Sequence, residues 1–131
     1  MIKRVLKIAF LILFSGQFLS ASFLEVESKK AVKEKKLILL TVKSEFCPYC
    51  IKMKKDVFDI AQYSKKINKK YIHVEINRDD PALPSSLHVK YVPTNFILSP
   101  HKLEILDEFP GYIKPDHFIE LLDEVYRQEV K

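Results

Sequence analysis

Residues 37–50 read LILLTVKSEFCPYC, an apolar run followed by a short polar loop and two cysteines that enclose a proline and a tyrosine. The uninterrupted apolar run at residues 37–42 is typical of a strand that is covered on both faces. Pro48 suits the first turn of a helix, because its φ is fixed there and its missing N–H costs no hydrogen bond. The stretch therefore predicts a strand, a loop and a helix that begins at the cysteines.

Cys47 and Cys50 are the only cysteines in the chain. Unpaired backbone N–H groups at a helix N-terminus favour a thiolate and lower the pKa of a thiol at that place. Cys50, three residues on, lies on the same helix face and is expected to be buried beneath Cys47. It can attack a mixed disulfide formed at Cys47 and release the partner. The spacing favours a reversible two-electron redox pair.

Two other interpretations of the cysteine pair stay open. A structural disulfide between residues three apart would close a very short loop and remove little chain entropy. A zinc site would need two further ligands, and the four histidines contain no pair with the spacing typical of zinc ligands. The redox interpretation is favoured over both, because the C-x-x-C motif opens a helix directly after a strand. No metal is expected.

The segments on either side of the cysteines predict the rest of the domain. A partly amphipathic helix is expected before the first strand, and helical spacing continues after Pro48, with a break before Asn68. A short helix should end near Val89. The other predicted elements are a helix at residues 25–36, strands at 71–77, 94–98 and 103–109, and a final helix at 114–128. The first two strands should be parallel and the last two antiparallel, which gives an α/β domain with a four-stranded mixed sheet and helices on both faces.

The N-terminus reads as an export signal. A basic opening is followed by an apolar run at residues 8–14, a break at Ser15 and Gly16, and small residues before residue 22. This order is that of a secretory signal peptide. We expect a signal peptide at residues 1–21 and one domain at residues 22–131, with a retained membrane anchor as the alternative. Export would place the cysteines in an oxidising compartment.

Charge excludes one class of function. The whole chain carries a formal net charge of +5. Removal of residues 1–21 would leave 19 basic residues against 17 acidic ones. A charge this close to zero argues against broad nucleic-acid binding.

The chain resembles thioredoxin-fold proteins over roughly residues 23–128. The resemblance rests on the CPYC motif, the strand order, the segment YVPTNFIL at residues 91–98 and Gly111 before the last helix. CPYC is the spelling usual in glutaredoxins, whereas the rest of the chain is similar to exported, periplasmic thioredoxin-like thiol–disulfide oxidoreductases. The glycine pair that glutaredoxins use for glutathione is missing, which disfavours dependence on glutathione.

The resemblance implies specific roles. Cys47 would be the nucleophile and Cys50 the resolving thiol, and Pro93 would be a cis-proline beside them. The backbone of Val92 would pair with an extended substrate segment. The implied substrate-binding residues are Phe46, Pro48, Tyr49, Val92 and Thr94, of which the two aromatic residues would form an apolar docking surface.

Two positions depart from the cytosolic thioredoxins. Thr41 stands where those proteins have a buried aspartate, and Glu75 stands where they have its partner lysine. A hydroxyl is not a useful base near neutral pH. Glu75 lies on the face opposite Ile72 in the alternating strand, and the hypothesis is that this face points toward Cys50. Its carboxylate would then accept the proton that Cys50 loses.

The sequence therefore predicts an exported, periplasmic thiol–disulfide oxidoreductase that reduces or exchanges disulfides in other exported proteins. A membrane-embedded thiol reductase or oxidase is the expected redox partner. We expect a monomer without a cofactor and without nucleic acid. Two alternatives remain: a non-catalytic binding or chaperone module on the same fold, and a glutathione-dependent glutaredoxin.

Overall fold

A computed structural model of the protein describes residues 22–131. The predicted signal peptide lies outside the described residues. The strands are β1 (Leu37–Lys43), β2 (Tyr71–Asn77), β3 (Thr94–Leu98) and β4 (Ile105–Pro110), and the α-helices are α1 (Glu25–Glu34), α2 (Pro48–Met53), α3 (Ala61–Lys70) and α4 (Pro115–Glu129). A π turn at Lys54–Phe58 and a 3₁₀ turn at Ser85–Leu87 complete the elements. No helix in this part of the chain is long and apolar enough to cross a membrane.

The strands form one sheet in the order β2-β1-β3-β4. The β1 and β2 strands are parallel, with Thr41 opposite Glu75. The β3 strand is antiparallel to both of its neighbours and places Asn95 opposite Thr41. Every residue of β1 except Lys43 is buried. The predicted four-stranded mixed sheet, with parallel first strands and antiparallel last strands, is confirmed.

Helices cover both faces of the sheet, as predicted. On one face α2, α3 and α4 pack against β1, and the buried contacts include Leu39, Met53 and Phe118. On the other face α1 packs through Ala31 against side chains such as Leu40. The cysteine pair therefore lies at the edge of the first layer, where β1 passes into α2.

The helix after Pro48 is more irregular than the sequence predicts. A π turn follows α2 and buries Val57 completely. The chain then becomes extended at Ile60 before α3 begins. Phe58, the last residue of the π turn, packs against the ring of His73, with 4.3 Å between the ring centroids. The break therefore lies at a point where side chains of the turn pack into the domain.

The last strand is also shifted from its predicted range of 103–109. It begins at Ile105, because Leu103 has a left-handed backbone with φ of 55° and belongs to the preceding turn. It includes Pro110, which the sequence analysis placed after the strand. Proline is tolerated there because β4 is an edge strand.

Candidate active site

The connection between β1 and α2 fixes the position of the two cysteines. Phe46 has a left-handed backbone with φ of 56°, and Cys47 returns to an extended conformation as the N-cap of α2. Cys47 and Cys50 form a disulfide. The backbone N–H of Cys50 donates a hydrogen bond to Sγ of Cys47 at 3.1 Å. The sulfur of Cys47 thus accepts an N–H group that would otherwise have no partner in the first turn of the helix.

The loop before β3 lies against the cysteine pair. The peptide bond between Val92 and Pro93 is cis, the geometry that the resemblance implies. Sγ of Cys47 lies 3.7 Å from the carbonyl oxygen of Val92. The N–H of Gly111 donates to the Pro93 carbonyl at 2.6 Å, and Gly111 itself has a positive φ of 82°. The backbone at Val92 therefore lies beside the sulfur. The hydrogen bond from Gly111 links the neighbouring Pro93 to the loop that precedes α4.

The exposure of the cysteines differs from the expectation. Cys47 is only 8% exposed, whereas Cys50 is partly exposed. The expectation that Cys50 is the more buried residue is therefore wrong for the disulfide form. Sγ of Cys47 lies beside the Val92 carbonyl, whereas Cys50 borders a cleft of about 340 Å³ that Phe46 and Pro93 also line. We call this the Cys50 cleft; its walls include Thr41, Lys43, Cys50, Phe58, Glu75 and Pro93.

Exposed aromatic side chains surround the disulfide. Phe46 and Tyr49 are 92% and 62% exposed, Pro48 is exposed, and Val92 is partly exposed. The structure adds Tyr91, which is 61% exposed and which the sequence analysis did not single out. Tyr49, Tyr91, Val92, Gly111 and Tyr112 line a mainly apolar groove of about 480 Å³.

Thr94 does not belong to this exposed surface. Its side chain is 1% exposed, and its hydroxyl donates to the carbonyl oxygen of Tyr91 at 2.7 Å. The expectation that Thr94 contacts substrate needs correction, because the side chain is directed into the domain. Its hydrogen bond instead holds the loop that presents Tyr91 and Val92.

A cluster of neutral polar side chains surrounds Thr41. The Thr41 hydroxyl donates to Oδ1 of Asn95 at 2.6 Å and lies 2.9 Å from Nε2 of His73. Nδ2 of Asn95 donates to Sδ of Met53 at 3.4 Å. Because the hydroxyl has one hydrogen and gives it to Asn95, Nε2 of His73 is the donor in the other contact.

The His73 imidazole in this cluster is held neutral. Burial lowers the pKa of His73 from 6.5 to about 4, while the nearby Glu75 carboxylate opposes the shift. The sequence analysis identified Thr41 but missed His73 and Asn95. The register of the sheet would have predicted both positions, since residue 73 shares a strand face with Glu75, and Asn95 pairs with Thr41.

Glu75 borders the Cys50 cleft, so its strand face does point toward the helix that carries Cys50. Its Oε2 lies 3.0 Å from Nζ of Lys43. The carboxylate is therefore paired with a cation at the mouth of the cleft. Within residues 22–131, no group of three or more His, Cys, Asp or Glu side chains is arranged to hold a metal ion.

Comparison with known proteins identifies the family. The model of the thioredoxin-like domain family matches residues 24–126. The chain belongs to this family. A comparison with curated proteins found no match.

Solved structures support the fold of this thioredoxin-like protein. The periplasmic thioredoxin SoxS of Paracoccus pantotrophus, in its reduced form, is 21% identical with a TM-score of 0.57; the match covers 71% of this chain and 98% of SoxS. A thioredoxin from Thermus thermophilus is 22% identical with a TM-score of 0.66, over 76% of this chain and 81% of the other. The reduced DsbD C-terminal domain of Neisseria meningitidis is 19% identical with a TM-score of 0.60, over 77% and 92%.

The family and the site together establish the class of enzyme. A thioredoxin-like domain that carries a C-x-x-C pair at disulfide distance is a thiol–disulfide oxidoreductase.

Proposed function

We propose that this thioredoxin-like protein is exported to the periplasm and reduces or exchanges disulfides in other exported proteins. The observation that carries the proposal is the position of the cysteine pair. Sγ of Cys47 accepts the N–H of Cys50 and lies beside the Val92 carbonyl, on a surface of exposed aromatic side chains. This arrangement brings a stabilised sulfur next to a backbone that can bind a protein segment.

The reductive direction of the exchange proceeds in two steps. The Cys47 thiolate attacks one sulfur of the substrate disulfide, and the other substrate sulfur leaves as a thiolate. Cys50 then loses its proton and attacks Sγ of Cys47, which breaks the mixed disulfide and releases the second substrate thiolate. Two electrons pass to the substrate, and the Cys47–Cys50 disulfide is formed. In this proposal the Glu75 carboxylate accepts the proton of Cys50.

The groove beside Cys47 would hold the substrate. An extended segment would pair with the backbone of Val92, in the manner of a strand added to a sheet edge. Pro93 has no N–H and would keep the chain open next to the sulfur. Phe46, Pro48 and Tyr49 would contact apolar side chains of the substrate, whereas Thr94 would act only by holding the loop.

Export is proposed from residues 1–21, whose pattern is that of a signal peptide. The periplasmic description of the Paracoccus protein agrees with this location. A membrane-embedded thiol reductase would supply electrons if the protein reduces its substrates, and a membrane-embedded oxidase would remove them if it oxidises. The protein would work as a monomer and without a cofactor.

Insulin reduction by dithiothreitol tests the proposed activity. The wild-type protein should accelerate it, and Cys47→Ser should reduce the rate to that of dithiothreitol alone. Cys50→Ser should accumulate a mixed disulfide at Cys47. Normal activity of Cys47→Ser would exclude the assigned nucleophile, and an inactive but folded wild type would favour a binding module. Activity that strictly requires glutathione would favour a glutaredoxin. Export is tested by fractionation of cells that express the full chain. The protein should be recovered in the periplasmic fraction.

A further inference from the structure

A hydrogen bond joins the helical segment after the cysteines to the loop that precedes α4. The Tyr112 hydroxyl donates to Oδ2 of Asp56 at 2.7 Å. Asp56 belongs to the π turn that continues α2, whereas Tyr112 follows Gly111 in the loop. The two residues are 56 positions apart in the sequence, so only the tertiary fold brings them together. The bond therefore ties two separate segments of the candidate active site to each other.

Lys52, in the last turn of α2, completes this cluster. Its Nζ forms an ion pair with Oδ2 of Asp56 and lies 4.6 Å from the centroid of the Tyr112 ring. The Lys52 ammonium and the Tyr112 hydroxyl hold the pKa of Asp56 below its usual value. The carboxylate is therefore ionised at neutral pH and accepts hydrogen bonds from both groups at once. We call Lys52, Asp56 and Tyr112 the Asp56 cluster.

One member of the Asp56 cluster belongs to the groove that is proposed to hold the substrate. Tyr112 lines this groove together with Tyr91 and Val92, whereas Asp56 does not line it. Asp56 can therefore act on the groove only through the tyrosine that it binds. A tyrosine side chain turns about two bonds, and a hydrogen bond at its hydroxyl end restricts both of them.

Further contacts connect the loop of Tyr112 with the reactive sulfur. The N–H of Gly111 donates to the Pro93 carbonyl at 2.6 Å, and Sγ of Cys47 lies 3.7 Å from the carbonyl oxygen of the adjoining residue 92. The Asp56 cluster links the same loop to the helical segment that begins at Cys47. The three segments around the groove are thus held to one another by side-chain and backbone contacts.

We propose that Asp56 is a positioning residue that holds Tyr112 as a wall of the groove and so gives the enzyme its preference for disulfides in a peptide segment over small disulfides. The proposal deepens the proposed oxidoreductase function and rests on it, because the groove is the proposed substrate groove. A side chain that is already fixed loses less conformational freedom when a segment binds. A small disulfide does not fill the groove and gains nothing from a fixed wall.

Two disulfides of different size test the role of Asp56. Pre-reduced protein is mixed with a disulfide-bonded peptide that carries leucine beside its cysteines, or with hydroxyethyl disulfide. Quenching in N-ethylmaleimide at short times, followed by mass spectrometry, gives the rate at which the protein is oxidised. Asp56→Ala should lower the ratio of the peptide rate constant to the hydroxyethyl disulfide rate constant by roughly two- to tenfold, the range expected for the loss of one hydrogen bond. The peptide concentration that gives half of the maximal rate should rise. An unchanged ratio, including an equal loss with both disulfides, would overturn the proposal.

Tyr112→Phe tests whether Asp56 acts through the tyrosine. This variant keeps the ring in the groove and removes the hydroxyl that binds Asp56. In the Tyr112→Phe background, Asp56→Ala should have no further effect on the ratio, because both changes remove the same hydrogen bond. The same fall as in the wild-type background would overturn the route through Tyr112. Asp56→Asn keeps an acceptor oxygen and should retain more of the ratio than Asp56→Ala.

Each of the two changes has a matched control. Asp59→Ala breaks a comparable ion pair, between Lys54 and Asp59, at the end of the same π turn. Tyr63→Phe removes a comparable hydrogen bond, which the Tyr63 hydroxyl donates to Oδ1 of Asp116 at 2.9 Å. None of these residues lines the groove, so both controls should keep the wild-type ratio. A control that lowers the ratio as much as Asp56→Ala would also overturn the proposal. A folded wild-type protein that reduces neither disulfide would instead overturn the proposed oxidoreductase function.

Discussion

The N–H of Cys50 and Sγ of Cys47 form a hydrogen bond of 3.1 Å across the first turn of α2. The same contact can stabilise a thiolate on Cys47 once the disulfide is reduced, because hydrogen bonds to a charged sulfur are stronger than those to a neutral one. It therefore serves both directions of exchange. Cys47 is favoured as a nucleophile in the reduced protein and, when the exchange runs in reverse, as the leaving group from the mixed disulfide.

Cys47 should react before Cys50 in the reduced protein. The stabilised thiolate should give Cys47 a pKa below the ~8.5 of a free cysteine. A short pulse of iodoacetamide at several pH values, followed by peptide mass spectrometry, measures both rates. Faster labelling of Cys50 would reverse the assigned roles.

Glu75→Gln should slow the release of the mixed disulfide and leave the first attack by Cys47 nearly unchanged. The carboxylate borders the same cleft as Cys50, and the amide cannot accept the proton. Stopped-flow kinetics with a fluorescent disulfide substrate resolves the two steps. Glu104→Gln is the matched control, since Glu104 is exposed and does not line the cleft. Equal release rates in Glu75→Gln and wild type would leave Glu75 without a catalytic role.

Thr41→Val should lower the free energy of unfolding by about 1–3 kcal/mol, because Oδ1 of Asn95 and Nε2–H of His73 both lose a buried partner. Urea denaturation measures the loss. Thr41→Ser keeps the hydroxyl and should preserve the NMR signal of the His73 Nε2–H, which Thr41→Val should shift. A Val variant with wild-type stability and an unshifted signal would contradict the hydrogen-bonded cluster.

His73 should make the stability of the protein depend on pH. Its pKa is about 4 in the folded protein, against an ordinary value of 6.5, so the unfolded state binds more protons between these values. The free energy of unfolding should therefore fall as the pH decreases through this window, by roughly 2 kcal/mol from pH 7 to pH 5. Urea denaturation at both pH values should show a smaller loss in His73→Gln.

The control for this pH effect is His88→Gln, because His88 is exposed. That variant should show the same loss of stability as the wild type between the two pH values. An equal loss in His73→Gln would show that His73 is not the group responsible.

The sequence was sufficient for the parts of the fold that local patterns determine. The apolar run of β1, the alternation of β2 and the proline after Cys47 predicted the strands, the helix start and the position of the cysteine pair. The π turn was not predictable, because it depends on contacts such as that between Phe58 and His73. The start of β4 was missed because Leu103 adopts a left-handed backbone, which a leucine does not signal in a sequence.

In the candidate active site, too, local sequence predicted some features and tertiary contacts determined the others. The chemistry of Cys47 and Cys50 follows from their spacing, whereas their relative exposure depends on the Val92 carbonyl, which comes from a loop 45 residues away. The role of Thr41 needed Asn95 and His73, which only the register of three strands brings together. Thr94 was wrongly predicted to contact substrate, because a sequence motif does not show whether a side chain is directed into the domain or toward its surface.

The reduction potential of the Cys47–Cys50 pair tests most directly whether these cysteines form a working redox centre. The fraction of oxidised protein is measured by thiol alkylation after equilibration in glutathione and dithiothreitol buffers of defined potential. A redox-active pair should show one two-electron transition with a midpoint between about −270 and −120 mV, the range of thioredoxin-fold reductants and oxidants. A midpoint below about −300 mV, where structural disulfides lie, would contradict the account.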